Sequence, residues 1–220
     1  MQDLLQNVHW ATRKLEEFFG EPRRDTSCDP LDGLILTILS QNTNDANRDL
    51  AYARLRERFS DWYQLAEAPL AEIAAVIRPA GLGNQKAQTL KSLLQWLRET
   101  YGSLNLDFLC DLPPEEAQRL FTARKGIGIK TISVVLMACC GADVFPVDTH
   151  VHRICRRLGW VPSSASAEKT HHLMQPLVPK GKAYSLHMNL LKLGRTLCKA
   201  QKPRCHDCPL AERCPSAGTF

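Results

Sequence analysis

Four cysteines near the C-terminus have the residue type and spacing of metal ligands. Cys198, Cys205, Cys208 and Cys214 follow one another as Cys-x6-Cys-x2-Cys-x5-Cys. Four thiolates bind zinc or an iron-sulfur cluster, because both accept soft anionic ligands in a tetrahedral arrangement. The spacing leaves these two cofactors open. It predicts an architectural site whose loop presents basic side chains to phosphates, with a redox role as the alternative.

A second group of residues could do chemistry on a phosphate-containing substrate. Gly126, Ile127 and Gly128 separate two helical stretches, and Lys130 lies in the first turn of the second stretch. Two glycines allow a hairpin whose backbone N–H groups point outward at a helix N-terminus, where phosphate binds well. The positive end of the helix dipole disfavours an ammonium there and favours a neutral amine that attacks carbon. An ordinary helix turn and a solvated lysine are the simpler interpretation.

Asp148 follows Lys130 by 18 residues, within the sequence Val-Asp-Thr-His. Its residue type suits a helix N-cap, so the carboxylate could serve only the backbone N–H groups. If the two segments pack side by side, Lys130 and Asp148 face one cavity as nucleophile and charge stabiliser.

The elements that must position these residues are helical almost throughout. Apolar residues recur at three- and four-residue intervals, for example at Leu31, Leu34, Ile35 and Ile38, and no segment alternates with period two. Glycines and prolines mark the ends of these stretches. The pattern predicts an all-α protein of about ten short helices. After two N-terminal helices, the predicted helices cover residues 48–59, 70–78, 86–101, 114–121, 129–140, 151–158, 167–178 and 184–198.

Charge is distributed unevenly along the chain. The net charge is +5, but residues 1–120 carry 13 Lys and Arg against 18 Asp and Glu, while residues 121–220 carry 15 against 5. Clustered cations displace the counterions of a polyanion, so the second half is expected to contact nucleic acid. Aromatic residues make up only 7%, which favours a protein that binds duplex over one that stacks the bases of a single strand on aromatic side chains. A solvated basic face is the simpler alternative.

Composition excludes several broad classes. Hydrophobic residues make up 44% and charged residues 23%, which argues against wholesale disorder. The purest apolar stretch, residues 132–142, has 11 residues and is too short for a membrane span. The N-terminus lacks the pattern of a secretory signal, so we expect a cytoplasmic protein. In a reducing compartment the remaining cysteines are expected to be small buried hydrophobes without a role; these are Cys28, Cys110, Cys139, Cys140 and Cys155.

Taken in order, these motifs resemble endonuclease III, within the helix-hairpin-helix superfamily of DNA glycosylases. The resemblance rests on Gly-Ile-Gly-Ile-Lys-Thr at 126–131, Val-Asp-Thr-His at 147–150 and the four cysteines, and it spans nearly the whole chain. It implies a two-lobed all-α fold, with a six-helix barrel over residues 31–142 and a second lobe formed by residues 1–30 and 143–220. It further implies that the cysteines hold a [4Fe-4S] cluster and that bent duplex lies between the lobes.

The resemblance also implies an activity. The family's bifunctional members act in base excision repair as DNA glycosylase and AP lyase on oxidised pyrimidines in duplex DNA. Carried over to this chain, Lys130 attacks C1' of a flipped nucleotide, and Asp148 stabilises the charge that develops on the sugar or assists proton movement. Beta-elimination through the resulting imine then cuts the strand 3' to the lesion. We expect a monomer associated with the nucleoid, which binds damaged double-stranded DNA and no membrane.

Contacts to DNA follow from the same resemblance. Leu82 matches the family's wedge residue, with a core leucine as the simpler interpretation. Gln41 and Asn42 both fall in the other inserting loop, where either amide could fill the space left by the flipped nucleotide. The complete predicted set of DNA-contacting residues is Gln41, Asn42, Leu82, Lys125, Gly126, Ile127, Gly128 and His150.

Two departures from the family pattern leave alternatives open. Asn42 stands where the family has glutamine, so the lesion range and the preferred opposite base are unassigned. Arg124 and Lys125 replace the usual Leu-Pro before the hairpin, which adds cations for phosphate but removes a rigid proline. The alternatives are a weakly active or non-catalytic DNA-damage-binding paralogue, or a mismatch-specific glycosylase. An adenine-mismatch enzyme would carry its glutamate near Thr37, and a thymine-mismatch enzyme would have tyrosine in place of Lys130.

Overall fold

The fold is seen in a computed structural model that describes residues 2–219 of the chain. Over that range the chain forms eleven α-helices, five short 3-10 turns and no strand. No helix in the described range is long and apolar enough to cross a membrane. The predicted all-α fold is confirmed. Two compact units are present, one formed by Thr26–Cys140 and the other by Met1–Asp25 together with Gly141–Phe220. The lobe boundaries taken from the resemblance, at residues 31 and 142, stay predictions.

The central unit, Thr26–Cys140, holds seven of the helices. They are α2 (Pro30–Leu39), α3 (Asp45–Arg58), α4 (Trp62–Glu67), α5 (Leu70–Val76), α6 (Gly83–Tyr101), α7 (Pro114–Thr122) and α8 (Ile129–Ala138). Helix α4 is missing from the sequence prediction because six residues are too few to show a periodicity. Side chains at the preceding residues fix several helix starts: Asp29 accepts from the Asp32 N–H and Asn44 from the Asn47 N–H.

The core of the central unit lies under the apolar faces of α2, α6 and α8. Leu90, Leu93, Leu94 and Leu97 repeat at helical spacing on α6 and are buried. Helix α2 packs against α8 and α6, and α7 packs against α8. Since α2 is buried over most of its length, its C-terminal end is held firmly at Leu39.

The second unit is built from the N-terminal helix and the C-terminal part of the chain. Its helices are α1 (Gln2–Phe19), α9 (Thr149–Arg157), α10 (Ala167–Met174) and α11 (Ala183–Thr196). Helix α11 packs against α1 and α9 around a buried core that includes Val8, Leu15, Ile154 and Leu186. Three of the C-terminal cysteines, Cys198, Cys208 and Cys214, pack against this core.

Four cysteines of the central unit correct the sequence interpretation. Cys28 is disulfide-bonded to Cys139, and Cys110 to Cys140. None of these four is fully buried, whereas Cys155 is buried and carries a free thiol, as expected. The expectation of five isolated buried hydrophobes was wrong for the four because sequence spacing does not show which distant cysteines meet at the end of α8.

Candidate functional site

The four C-terminal cysteines surround one cavity. Cys198 is the second residue after α11, and the other three lie in a loop that contains the 3-10 turns Cys205–Asp207 and Ala211–Arg213. All four thiols are free and half-buried, and together with Arg157 they line the same cavity. In the described range no three His, Cys, Asp or Glu side chains converge as ligands of a single metal ion. Four thiols around a shared cavity are the donor set that a cluster of several irons requires.

Two arginines of α9 hold the end of α11 and the start of the loop that carries the cysteines. The Arg157 guanidinium donates to Cys198 Sγ at 3.3 Å, to the Lys199 oxygen at 2.7 Å and to the Ala200 oxygen at 3.0 Å. Arg153 donates to the Cys198 oxygen at 2.8 Å and to the Gly194 oxygen at 3.0 Å. These bonds fix the position of Cys198 relative to α9. Because these residues lie outside the cysteine pattern, sequence reasoning missed them.

Burial opposes ionisation of the thiols while no metal is bound. It raises the pKa of Cys208 to about 11, with smaller raising effects from the charges of Cys198, Cys214 and Cys205. The pKa of Cys214 is raised as well, again chiefly by burial. Metal binding therefore has to displace protons from this loop, and the energy of the metal–sulfur bonds offsets that cost. The donor set thus fits an iron-sulfur cluster.

The two glycines of the hairpin, Gly126 and Gly128, are explained by different physical requirements. Gly126 has a φ of 89°, and a Cβ atom added there would lie 2.1 Å from Thr89 Oγ1. Gly128, the N-cap of α8, has an extended backbone, and a Cβ atom there would meet no protein atom within 4 Å. Packing within the central unit therefore requires Gly126 and leaves open space at Gly128, where an outside group can approach the helix N-terminus.

The residues between and before the glycines anchor the hairpin. The Ile127 side chain is buried in the core. Its backbone N–H donates to the Arg124 oxygen at 3.1 Å, which closes the turn. The Arg124 guanidinium lies over the Trp96 ring, 4.7 Å from its centroid, which gives this cation a packing role at the hairpin. Lys125 is exposed. A DNA contact by Ile127 or Lys125 stays a prediction.

The two residues with predicted catalytic roles begin helices in different units. Lys130 is the second residue of α8 in the central unit and is half-buried. Asp148 is the N-cap of α9 in the second unit, where its Oδ1 accepts from the Val151 N–H at 2.8 Å. His150 is half-buried on the first turn of α9, and its Nδ1 lies 3.2 Å from an Arg153 nitrogen. The N-cap interpretation of Asp148 is thus correct, and the catalytic roles remain a proposal.

The two loops predicted to insert into DNA share an unusual backbone conformation. Asn42 and Leu82 are non-glycine residues with a φ of 51°, and both are exposed. Gln41 behaves differently, because its Nε2 donates to the Gly126 oxygen at 3.0 Å and to Thr131 Oγ1 at 3.2 Å. Of the two amides that could enter the duplex, Asn42 is exposed, whereas the Gln41 side chain is hydrogen-bonded to the hairpin.

A core position next to these loops carries a lysine that sequence reasoning missed. Lys86 is 2% exposed. It lies one turn before Leu90, on the same face of α6 as Leu93 and Leu97, so a lysine in an apolar stripe was the available signal.

Thr37 occupies the position where an adenine-mismatch enzyme would carry its glutamate. It is buried, and its hydroxyl donates to the Gly33 oxygen at 2.7 Å.

Comparison with known proteins places this geometry in a family. The profile of the HhH-GPD superfamily of base excision DNA repair proteins matches residues 35–180, more than half of the chain. The chain belongs to this superfamily. Residues 198–214 match the iron-sulfur binding domain of endonuclease III, which places the chain among the endonuclease III-like members of the superfamily.

Individual relatives agree with that assignment. The endonuclease III of Thermotoga maritima is 34% identical over 193 residues, which cover 88% of this chain and 86% of that protein. A non-covalent endonuclease III–DNA complex matches with a TM-score of 0.85 at 26% identity, covering 98% of this chain and 97% of the other. A trapped covalent endonuclease III–DNA intermediate matches at the same coverages and identity with a TM-score of 0.84.

These HhH-GPD comparisons settle several predictions. The endonuclease III family, the two-lobed glycosylase fold, the class of DNA glycosylase and the iron-sulfur cofactor are confirmed. The chain is an endonuclease III-like base excision repair glycosylase, and its similarity to proteins in complex with DNA supports DNA as its partner.

Proposed function

We propose that the protein is a bifunctional DNA glycosylase and AP lyase that removes oxidised pyrimidines from duplex DNA and then cuts the strand. The observation that carries this proposal is the position of Lys130, two residues after Gly128 in the first turn of α8. An amine at this point directly follows the hairpin that is expected to hold the DNA backbone. The match to a trapped covalent endonuclease III–DNA intermediate supports a nucleophile in the site.

Binding precedes chemistry in the proposed mechanism. A phosphate of the backbone approaches the first turn of α8 through the space at Gly128, and the exposed Lys125 adds a positive charge. Asn42 and Leu82 enter the duplex and fill the space of the nucleotide that swings out. Extrusion is necessary because C1' of a paired nucleotide is out of reach inside the stack, and a damaged base costs less to extrude.

The reaction then proceeds at C1' of the extruded nucleotide. Lys130 Nζ attacks C1', the bond from C1' to the base breaks, and the base leaves with the electron pair and takes up a proton. The nitrogen then gives a proton to O4' as the C1'–O4' bond breaks, and its electron pair forms the C1'=N bond of a protonated imine. Removal of a C2' proton sends its electron pair toward the imine, and the C3'–O bond breaks with loss of the phosphate. Asp148 stabilises the positive charge on the sugar and assists proton movement.

Cys198, Cys205, Cys208 and Cys214 would hold the cluster, which we propose to be [4Fe-4S]. When bound, it supplies iron–sulfur bonds that cross-link the loop to the end of α11. The exposed Lys199 and Lys202 on this loop are then available to phosphates. Purified protein is expected to be brown, with iron and acid-labile sulfide in equal amounts. A colourless protein with stoichiometric zinc would contradict the cluster assignment.

The activity is tested with duplex oligonucleotides that contain thymine glycol, dihydrouracil, uracil or an abasic site. Base release is scored separately from nicking, and borohydride is added to trap the imine. Wild-type protein should release the oxidised bases, nick the product and form a trapped adduct. Lys130→Gln should abolish trapping and nicking while duplex affinity is kept.

Lys125→Gln provides the matched control five residues earlier on the chain. It should lower affinity and its salt dependence but leave trapping intact at saturating DNA. Nicking of abasic DNA without base release would reduce the activity to that of a lyase. Full cleavage and trapping by Lys130→Gln would overturn the assigned nucleophile.

A further inference from the structure

We propose that Lys86 is a positioning residue that locks the Asn42 loop and the Leu82 loop together for insertion into duplex DNA. The inference rests on the proposed function, because it assigns a role to the two loops in that reaction. Lys86 itself touches neither DNA nor the reacting atoms.

The hydrogen bonds of Lys86 join two segments that are distant in sequence. Its ammonium donates to the Leu39 oxygen at 2.8 Å and to the Ala80 oxygen at 2.8 Å. Leu39 is the last residue of α2, three residues before Asn42. Ala80 ends the 3-10 turn Arg78–Ala80, two residues before Leu82. One buried side chain therefore holds the starting points of both loops.

The backbone of Lys86 adds a third connection. Its N–H donates to the Leu82 oxygen at 3.0 Å, which closes the first turn of α6. The left-handed conformation of Asn42 and Leu82 costs free energy in a residue with a Cβ atom, and it persists only where the surrounding structure imposes it. The anchor at Lys86 supplies that constraint on both sides.

The choice of a lysine at this point is not explained by packing. Burial lowers the pKa of Lys86, so the fold opposes the charge that the side chain carries. An apolar side chain of similar length would fill the same space without this desolvation cost. What the ammonium adds is the simultaneous capture of two carbonyl groups, and a donor with three N–H groups is suited to that task.

The test compares Lys86→Met with Lys91→Met in otherwise intact protein carrying its cluster. Lys91 lies on the same helix, is partly buried and donates to the Ala68 oxygen at 2.6 Å, away from both loops. Base extrusion is followed by the fluorescence of 2-aminopurine placed beside the lesion, and base release by single-turnover kinetics. Nonspecific duplex affinity and thermal stability are measured in parallel.

Lys86→Met is expected to slow extrusion and single-turnover base release by about tenfold or more, the factor for loss of a charge-assisted hydrogen bond. Duplex affinity should remain within about twofold, since phosphate contacts dominate it. Lys91→Met should leave extrusion unchanged. In a Leu82→Ala background, Lys86→Met should cost much less than in the wild type, because the two changes act through one loop.

Each contrary outcome has a distinct meaning. Equal extrusion rates in Lys86→Met and Lys91→Met would overturn the positioning role, and so would additive losses with Leu82→Ala. If Lys86→Met does not fold, Lys86→Gln takes its place: its shorter side chain cannot hold both carbonyl groups, so extrusion should again be slower than in Lys91→Met. If the wild-type protein extrudes the lesion but releases no base, the proposed function fails while the role of Lys86 remains testable by fluorescence.

Discussion

The side-chain amide of Gln41 donates to the backbone oxygen of Gly126 at 3.0 Å. The bond connects the loop after α2 with the hairpin before α8, across 85 positions in sequence. A second bond from the same amide reaches the buried Thr131. The neighbouring Asn42, exposed and left-handed, is thereby presented to the surface by a residue whose own side chain is already engaged.

This relationship separates the roles of the two amides. Asn42→Ala is expected to change the preference for the base opposite the lesion and to slow extrusion, with little change in melting temperature. Gln41→Ala is expected to cost about 1 kcal/mol of stability, since it removes the donor to Gly126. Base release opposite each of the four bases, together with thermal unfolding, measures both effects. A larger loss of opposite-base preference in Gln41→Ala than in Asn42→Ala would contradict this division.

The hairpin glycines give a paired test of phosphate binding. Gly126→Ala is expected to destabilise the fold by about 1–3 kcal/mol, because its φ is positive and the new Cβ collides with Thr89. Gly128→Ser is expected to keep or raise stability, because serine is a good N-cap. Its hydroxyl competes for the N–H groups that a phosphate would take, so DNA affinity should fall.

The measurements are denaturant unfolding and duplex affinity over a range of salt concentrations. Gly128→Ser should reduce the salt slope by about one phosphate contact. Adding Thr89→Ala to Gly126→Ala should restore the stability lost through the clash with the Thr89 side chain. The stability lost because alanine disfavours a positive φ should not return. Unchanged affinity and slope in Gly128→Ser would show that no phosphate binds at this helix start.

Arg157 is expected to protect the cluster. Arg157→Met removes the donor to Cys198 Sγ and two anchors of the loop at Lys199 and Ala200. The variant should lose iron and sulfide faster during incubation with a chelator, while Arg156→Met, at the exposed neighbouring position, should behave like the wild type. Visible absorbance and iron content follow the loss. Equal rates of loss in both variants would argue against a role for the Arg157 hydrogen bonds.

The disulfides predict a difference in stability between oxidised and reduced protein. The bonded partners are 111 residues apart for Cys28 and Cys139, and 30 apart for Cys110 and Cys140. Crosslinks of this kind stabilise by about 2–4 kcal/mol each, chiefly by restricting the unfolded chain. Reduction should lower the melting temperature, and Cys139→Ser should remove part of the difference, whereas Cys155→Ala should not.

Mass spectrometry after alkylation in denaturant checks the pairing directly. Without reductant, four cysteines of the central unit should be protected, and peptides that join Cys28 to Cys139 should be recovered. Alkylation of all four before reduction would show that the thiols are free under the conditions used, as is usual in reducing compartments.

Local patterns predicted the helices and the ligand set, whereas the connections between distant segments came only from the structure. Apolar spacing and caps identified α6 and α8 because these signals lie within one helix. The pairing of Cys28 with Cys139 and the bond from Gln41 to Gly126 depend on which helices pack together. Lys86 was missed for a related reason, since a lysine in an apolar stripe is explained only when its carbonyl partners are known.

Acid should destabilise the second unit through His171, which is buried on α10. Burial lowers the pKa of this imidazole to about 4, and the charge of His172 acts in the same direction. Since the unfolded chain has the ordinary value near 6.5, it binds more protons than the folded one between these pH values. The contribution is therefore fully present above about pH 6.5 and declines toward pH 4, by about 2–3 kcal/mol. In urea unfolding between about pH 4 and 6.5, His171→Gln should flatten this pH dependence, whereas the exposed His172→Gln should keep most of it. An unchanged slope in His171→Gln would show that other groups cause the loss of stability in acid.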